Sequence, residues 1–205
     1  MNEIVNNDES ERILEKEPIQ TEWIVITGGP SSGKTSIINR LAELGYKIVP
    51  EAAEKYIKEE KLKGKKIEEI RTNEEDFTKL IFYKKIEAED QTAPEQLTFL
   101  DRGLPDTIAY GQADEYDISY ALNDPKLNEN KYKKVFLLDL VPFEKTDIRI
   151  EDRAFAERVN QELNDAYTSL GYDVIRVPVL PGNTLQEKID RRTEFILKSL
   201  GLLNK

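Results

Sequence analysis

Between Trp23 and Thr35 the chain reads Trp-Ile-Val-Ile-Thr-Gly-Gly-Pro-Ser-Ser-Gly-Lys-Thr, an apolar, β-rich run that passes directly into a glycine-rich loop. Gly28, Gly33, Lys34 and Thr35 satisfy the pattern G-x-x-x-x-G-K-[ST], and the periodic Ile37, Ile38, Leu41 and Leu44 behind them predict a helix. Strand, loop and helix in that order make a phosphate-binding loop. Glycines let successive N–H groups turn inward as an anion nest. The helix start adds unpaired donors and the positive end of its dipole. The expected contacts to a nucleotide run from Gly28 through Gly29, Pro30, Ser31, Ser32, Gly33, Lys34 and Thr35 to Ser36. Lys34 is expected to reach the β- and γ-phosphates and the Thr35 hydroxyl to ligate Mg²⁺.

Composition narrows the chemistry that can accompany such a loop. The chain has 205 residues, enough for one domain with a substantial core. It contains no cysteine and no histidine. That excludes disulfide scaffolds, thiolate or imidazole metal sites, Cys nucleophiles and Ser-His-Asp triads. Acid–base work falls to carboxylates, Lys, Tyr or water. A net charge of −10 argues against a nonspecific grip on nucleic acid. No apolar run approaches the roughly 20 residues that span a bilayer, and no signal-peptide pattern precedes the loop, so the cytoplasm is the expected location.

Residues 1–20 are acidic and polar and read as a mobile tail, with a protein-binding segment as the alternative; residues 21–205 read as the domain. After a helix over about 34–44, Tyr46 to Val49 predicts a second strand and Glu51 opens a helix to about 60. Lys61 to Lys66 is a basic connector, either a solvated loop or a phosphate-facing flap. Asn73 with Asp76 marks a helix start, and Phe77, Leu80, Ile81 and Ile86 give it a buried face to about residue 90. Leu97 to Asp101 is the third strand, and Leu104-Pro105 starts the next helix. Residues 111–131 are expected as short surface helices, and Val135 to Leu140 as a central strand. A loop over 141–151 leads to a helix burying Phe155, Val159, Leu163, Ala166 and Leu170. Asp173 to Val177 is a fifth strand. A capping box of Thr184 and Glu187 then opens a last helix with Leu185, Ile189, Ile196 and Leu200 inward. Strands alternating with helices predict an α/β fold with a parallel, doubly wound sheet, whose ligands sit at the carboxyl ends of the strands.

Three clusters lie at those ends. Asp101 closes an apolar strand, as a Mg²⁺ site requires, and Arg102 beside it can hold a phosphate; the two can equally pair with each other. Glu51 follows the second strand, where a carboxylate can accept the proton of an attacking hydroxyl, or simply favour a helix start through the dipole. Arg149 and Arg153, with Arg158 a third candidate, can close over a transferring phosphoryl group, or pair along the helix with Asp152 or Glu157.

The combination of Gly28 to Thr35, Val49-Pro50-Glu51-Ala52-Ala53, Phe99-Leu100-Asp101-Arg102-Gly103 with Asp106, Ala109 and Tyr110, Arg149-Ile150-Glu151-Asp152, and Tyr167 with Leu170-Gly171-Tyr172 resembles a family of small P-loop ATPases of the AAA_28 type. That family is similar to the kinase domains of NadR-type proteins and to the fly protein known from a defect in translocation of TRP-like channels. The resemblance covers residues 23–200. It implies a fold similar to nucleoside and nucleotide kinases, with sheet order 2-3-1-4-5. It also implies that the loop from Val177 to Asn183, including Pro181, borders the nucleotide base. Asp101 would match the metal-associated acid, Glu51 the acceptor-side carboxylate, and Arg149 and Arg153 the lid arginines.

The expectation is a Mg²⁺- and ATP-dependent phosphotransferase acting on a hydroxyl of a small, nucleoside-like acceptor, with GTP as the other candidate donor. A nucleotide-dependent switch with slow hydrolysis and a polynucleotide 5′-kinase are the alternatives.

Overall fold

The computed structural model describes residues 17–141 and 150–203, the side chains of residues 150–152 excepted. Two short strands, β1 (Ile19–Gln20) and β5 (Asn130–Lys131), pair in parallel beside the main sheet. This pairing begins two residues ahead of the expected start of the domain. Residues 1–16, most of the 1–20 stretch read as a mobile tail or a protein-binding segment, lie outside the described residues.

The main sheet contains β2 (Trp23–Thr27), β3 (Lys47–Val49), β4 (Thr98–Asp101), β6 (Lys134–Leu138) and β7 (Val174–Val177). All neighbours are parallel, in the order β3-β4-β2-β6-β7, which is 2-3-1-4-5 counted within the sheet, as the resemblance implies. β2 is central and all five of its residues are buried. Period-two alternation divides its side chains between two cores. Trp23 and Val25 join Leu100, Val135 and Leu137 under α5 (Pro105–Ala113) and α8 (Ile150–Ser169), which contribute Ile108, Val159 and Leu163. Ile24 and Ile26 join Phe99, Phe136 and Leu138 on the other face, under α1 (Lys34–Glu43) and α9 (Leu185–Ser199). A third, smaller cluster of Ala52, Phe77 and Ile81 joins α2 (Ala52–Leu62) to α4 (Glu74–Asp90) at the end of the sheet that carries the loop.

Local signals explain most boundaries. Asn73 caps α4 by accepting from the N–H groups of Glu75 and Asp76 at 3.0 and 3.2 Å. The basic connector is the exposed end of α2 and the turn into the short helix α3 (Ile67–Ile70), with Lys63 and Lys65 turned back onto Glu60. Three expectations are corrected. Leu185 is 73% exposed, because it opens α9 before that helix reaches the sheet. The capping box is half formed: Thr184 accepts from the Glu187 N–H at 3.1 Å, but the Glu187 carboxylate accepts from Asn183 instead of from Thr184. The 111–131 region is not confined to the surface. Ala121 and Leu127, from the short helices α6 (Ser119–Leu122) and α7 (Lys126–Glu129), belong to the same buried core as Trp23 and Ile108. No helix among the described residues is long and apolar enough to cross a membrane.

Candidate functional site

The loop between β2 and α1 is held by its carbonyls. Gly28 O accepts from Arg102 Nη1 at 3.3 Å, Gly29 O from the Ser32 N–H at 3.2 Å, Ser31 O from the Val141 N–H at 3.2 Å, and Ser32 O from Arg192 Nη1 at 2.7 Å. Asn160 of α8 takes the Gly29 N–H on its Oδ1 at 3.2 Å. Gly33 opens α1 with φ +80°, a left-handed conformation that glycine adopts without strain. No side chain caps the helix start, so its first-turn N–H groups face an open cleft of about 360 Å³. Gly29 through Ser36 line this cleft together with Glu51, Glu54 and Arg102.

Four charged side chains converge between the strand ends and the loop. Lys34 Nζ donates to Glu51 Oε2 at 2.9 Å and to Asp101 Oδ1. Arg102 Nε donates to Glu51 Oε1 at 3.1 Å, and its Nη1 to Asp106 Oδ1 at 3.1 Å. Arg102 is left-handed, φ +75°, which swings its side chain back across the sheet end and lays the guanidinium 4.8 Å from the Tyr110 ring centre. Burial pushes both Glu51 and Asp101 toward the neutral form. At Glu51 the cations Arg102 and Lys34 outweigh it and hold the carboxyl down at about 2. At Asp101 burial prevails over Lys34 and the carboxyl is raised.

A second cleft, of about 260 Å³, opens on the far side of Glu51 and Arg102, with Ile57, Phe77, Ile81 and Tyr110 among its walls. Its floor is a buried polar cluster around Asp106, which is fully buried. Asp106 accepts from Thr27 Oγ1 at 2.6 Å, Tyr167 OH at 2.5 Å and the Gly103 N–H at 3.1 Å as well as from Arg102. Burial would raise its carboxyl, but Lys85 and Arg102 together lower it. Lys85 Nζ, buried, donates to Gly103 O and Thr107 Oγ1, both at 3.1 Å, and burial lowers its pKa against the pull of Asp106.

The structure therefore brings Lys34, Glu51, Asp101 and Arg102 to one point beside the loop. Arg153 is elsewhere: it is exposed, pairs with Glu157 at 2.9 Å, and lines neither cleft. Pro181 is exposed and also outside both clefts. Arg149 lies outside the described residues. Sequence reasoning passed over Lys85, Asn160 and Arg192 and gave Asp106 no role. The signal was positional. Lys85 continues the buried Phe77–Ile81 row at four-residue spacing, Asn160 follows Ala156 and Val159, and Arg192 falls between Ile189 and Ile196. A polar residue on an apolar helix stripe is buried against something that answers it.

Among the described residues, no three Asp or Glu side chains are arranged to hold a metal ion. Mg²⁺ does not require that arrangement, since it keeps several waters and takes one or two carboxylates plus phosphate oxygens. Thr35, Asp101 and Glu51 offer hard oxygen donors of that kind.

A 2-3-1-4-5 parallel sheet, with a glycine-rich loop leading from its central strand into a helix and charged residues at the neighbouring strand ends, defines a P-loop α/β protein of the nucleotide-kinase type. The chain belongs to the AAA_28 family, an AAA domain, whose pattern matches residues 23–188. No curated protein matches it. Among solved structures it is similar to thymidylate kinase from Ehrlichia chaffeensis, with TM-score 0.63 and 18% identity over 89% of this chain and 100% of that one. It is similar to the NadR protein in complex with NR, with TM-score 0.63 and 16% identity over 90% of this chain, and spans about half (52%) of that protein. Deoxyadenosine kinase from M. mycoides, with bound dCTP, matches with TM-score 0.53 and 17% identity over 88% of this chain and 100% of that one. Likeness at these identities is a likeness of fold.

Proposed function

We propose that the protein is a Mg²⁺-dependent phosphotransferase that moves the γ-phosphoryl group of ATP, with GTP as the other candidate donor, to a hydroxyl of a small, nucleoside-like acceptor. One observation carries the reading: Glu51 and Arg102 line both clefts, so the wall between the phosphate loop and the second cavity is built from a carboxylate and a guanidinium.

In this reading the free N–H groups between Gly28 and Ser36 cradle the donor phosphates, those of Gly29 and Ser32 being held by Asn160 Oδ1 and Gly29 O and Pro30 having none, and Lys34 leaves its carboxylates to hold the β- and γ-phosphates. Thr35 and Asp101 hold Mg²⁺, which supplies charge neutralisation on the phosphate oxygens. Glu51, which keeps Arg102 beside it when Lys34 leaves, orients the acceptor hydroxyl and receives its proton. Arg102, fixed by Glu51 and Asp106, stabilises charge on the transferring group or on the acceptor side. Pro181 borders the base. Arg149 and Arg153 are the lid arginines, and Arg153 takes that role on leaving Glu157.

The test is transfer of labelled γ-phosphate from ATP and from GTP to nucleosides, nicotinamide riboside, nucleoside monophosphates and 5′-hydroxyl oligonucleotides. A product whose rate falls by about 10²–10⁴ in Glu51→Gln establishes the kinase and names its acceptor class. Tight nucleotide binding with no product from any acceptor overturns it in favour of a nucleotide-dependent switch.

A further inference from the structure

Arg192 reaches from α9 to the back of the phosphate loop, where it is 4% exposed. Its Nη1 donates to Ser32 O at 2.7 Å, and Nη2 donates to Asp139 O at 3.0 Å and to Val177 O at 3.1 Å. The three carbonyls belong to the loop and to the ends of β6 and β7, so one side chain ties three segments together. Nη1 lies 3.4 Å from where a Cβ on Gly33 would stand, so the cation backs onto the residue that opens α1.

The charge is only partly offset. No carboxylate among the described residues forms an ion pair with Arg192, and the Asp139 carboxylate, whose charge acts on it from nearby, is itself engaged by Arg176 at 2.7 Å. Nε is buried without a hydrogen-bond partner. Three neutral carbonyls satisfy hydrogen bonds but leave a net positive charge in a buried place, where a nearby anion is favoured. The peptide plane shows the direction in which that charge acts. Because a trans peptide is flat, with C=O and N–H opposed, holding Ser32 O toward Arg192 turns the Gly33 N–H the other way, toward the cleft.

We propose that Arg192 is a positioning residue and the buried counter-charge of the phosphate loop: it sets the Ser32–Gly33 peptide with its N–H inward, and its charge, free of a direct ion pair among the described residues, strengthens the hold on a polyphosphate. The proposal rests on the loop's being a polyphosphate site. It adds a cation behind the loop to Lys34 in front of it, and it links the loop to Val177, where the segment assigned to the base begins.

A structural role and an electrostatic one separate by ligand charge. Binding of ATP, ADP, AMP and adenosine to the full chain is measured by calorimetry without divalent metal, for wild type, Arg192→Gln and Arg192→Lys, with thermal melts alongside. Arg192→Gln should weaken ATP about tenfold more than AMP, with ADP between them and adenosine unaffected. Arg192→Lys should restore most of that charge-dependent difference. Equal losses for all ligands, or no loss, overturn the proposal. So does failure of both variants to fold, which assigns the residue to architecture alone. If wild type binds none of the phosphorylated ligands, the reading of the loop itself fails, an outcome distinct from wild-type binding that Arg192 does not influence.

Discussion

Lys34 Nζ donates to Glu51 Oε2 at 2.9 Å while also touching Asp101, so the cation that the loop offers to a phosphate rests on two carboxylates from neighbouring strand ends. Any anion that recruits Lys34 competes with those carboxylates. Under the proposed function Glu51 serves the acceptor side and is also a brake on donor binding. Glu51→Gln should bind ATP in chelator at least as tightly as wild type. Lys34→Met should bind it roughly ten- to a hundredfold more weakly, the scale of hydrogen bonds to a charged group. Fluorescent-nucleotide titration reads both. A Glu51→Gln protein that binds much more weakly than wild type defeats the competition argument.

Asp106 is the common partner of four residues from three segments: Thr27 at the end of β2, Arg102 and Gly103 after β4, and Tyr167 on α8. It is fully buried beside two cations, Arg102 and Lys85. Asp106→Ala leaves Arg102 with Glu51 alone, takes from Lys85 its strongest anion, and should cost about 3–5 kcal/mol in urea unfolding. Lys85→Met should cost less, because Asp106 keeps Arg102. The double variant should fall short of the sum, since the two residues share one network. Additive losses would show that Lys85 and Asp106 act separately.

The sheet is legible in the sequence because every main strand is an apolar run of four or more residues or sits between clear helix and turn signals, and β2 carries the loop pattern at its end. Lys34, Glu51, Asp101 and Arg102 are legible for a related reason: ligands of such sheets gather at strand carboxyl ends, and these residues are there. Asp106, Lys85, Asn160 and Arg192 are harder. Each sits inside a helix and has at least one partner outside it, in the extreme case Ser32 and Arg192, 160 positions apart. Periodicity reveals that such a residue faces inward but not what answers it. Arg153 is the converse, a basic residue near a helix start whose i, i+4 neighbour Glu157 takes it first.

Glu89, at the end of α4, gives a pH signature of known sign. Burial raises its carboxyl to about 7, against the hydrogen bond from Tyr132 and the nearby charge of Lys85, with Asp90 adding to the rise. Unfolded, the group returns to about 4.5. Between these values the folded chain holds a proton that the unfolded chain has lost. The stabilisation is therefore complete below about 4.5 and is lost as pH rises through about 7. Comparing wild type with Glu89→Gln in urea across that window should show a wild-type-specific decline on the order of 3 kcal/mol. Glu51, depressed to about 2, has the opposite sign in a lower window: its stabilisation is full above about 4.5 and lost only as pH falls toward 2. A flat difference between wild type and Glu89→Gln from pH 4.5 to 7 would show that Glu89 is ionised throughout.

Gly103 follows Arg102 and is closed in by two tyrosines. A Cβ there would stand 2.7 Å from Tyr167 OH and 3.0 Å from Tyr132 OH and its ring edge. Neither ring can retreat without loss. Tyr167 OH donates to Asp106 and accepts from the Gly103 N–H, while Tyr132 OH donates to Glu89 at 2.6 Å and accepts from the Leu104 N–H at 3.0 Å. A single methyl therefore strains the supports of Asp106 and Glu89 together, and through Asp106 it reaches Arg102. Gly103→Ala should destabilise by about 1–3 kcal/mol and should lower phosphoryl transfer by more than it lowers nucleotide affinity, because Arg102 moves while the loop's N–H groups stay. Unfolding by urea, nucleotide titration and γ-phosphate transfer on the same preparation separate these effects. Equal losses in affinity and transfer would mean that the strain spreads into the loop through Thr27 and Gly28 rather than stopping at Arg102.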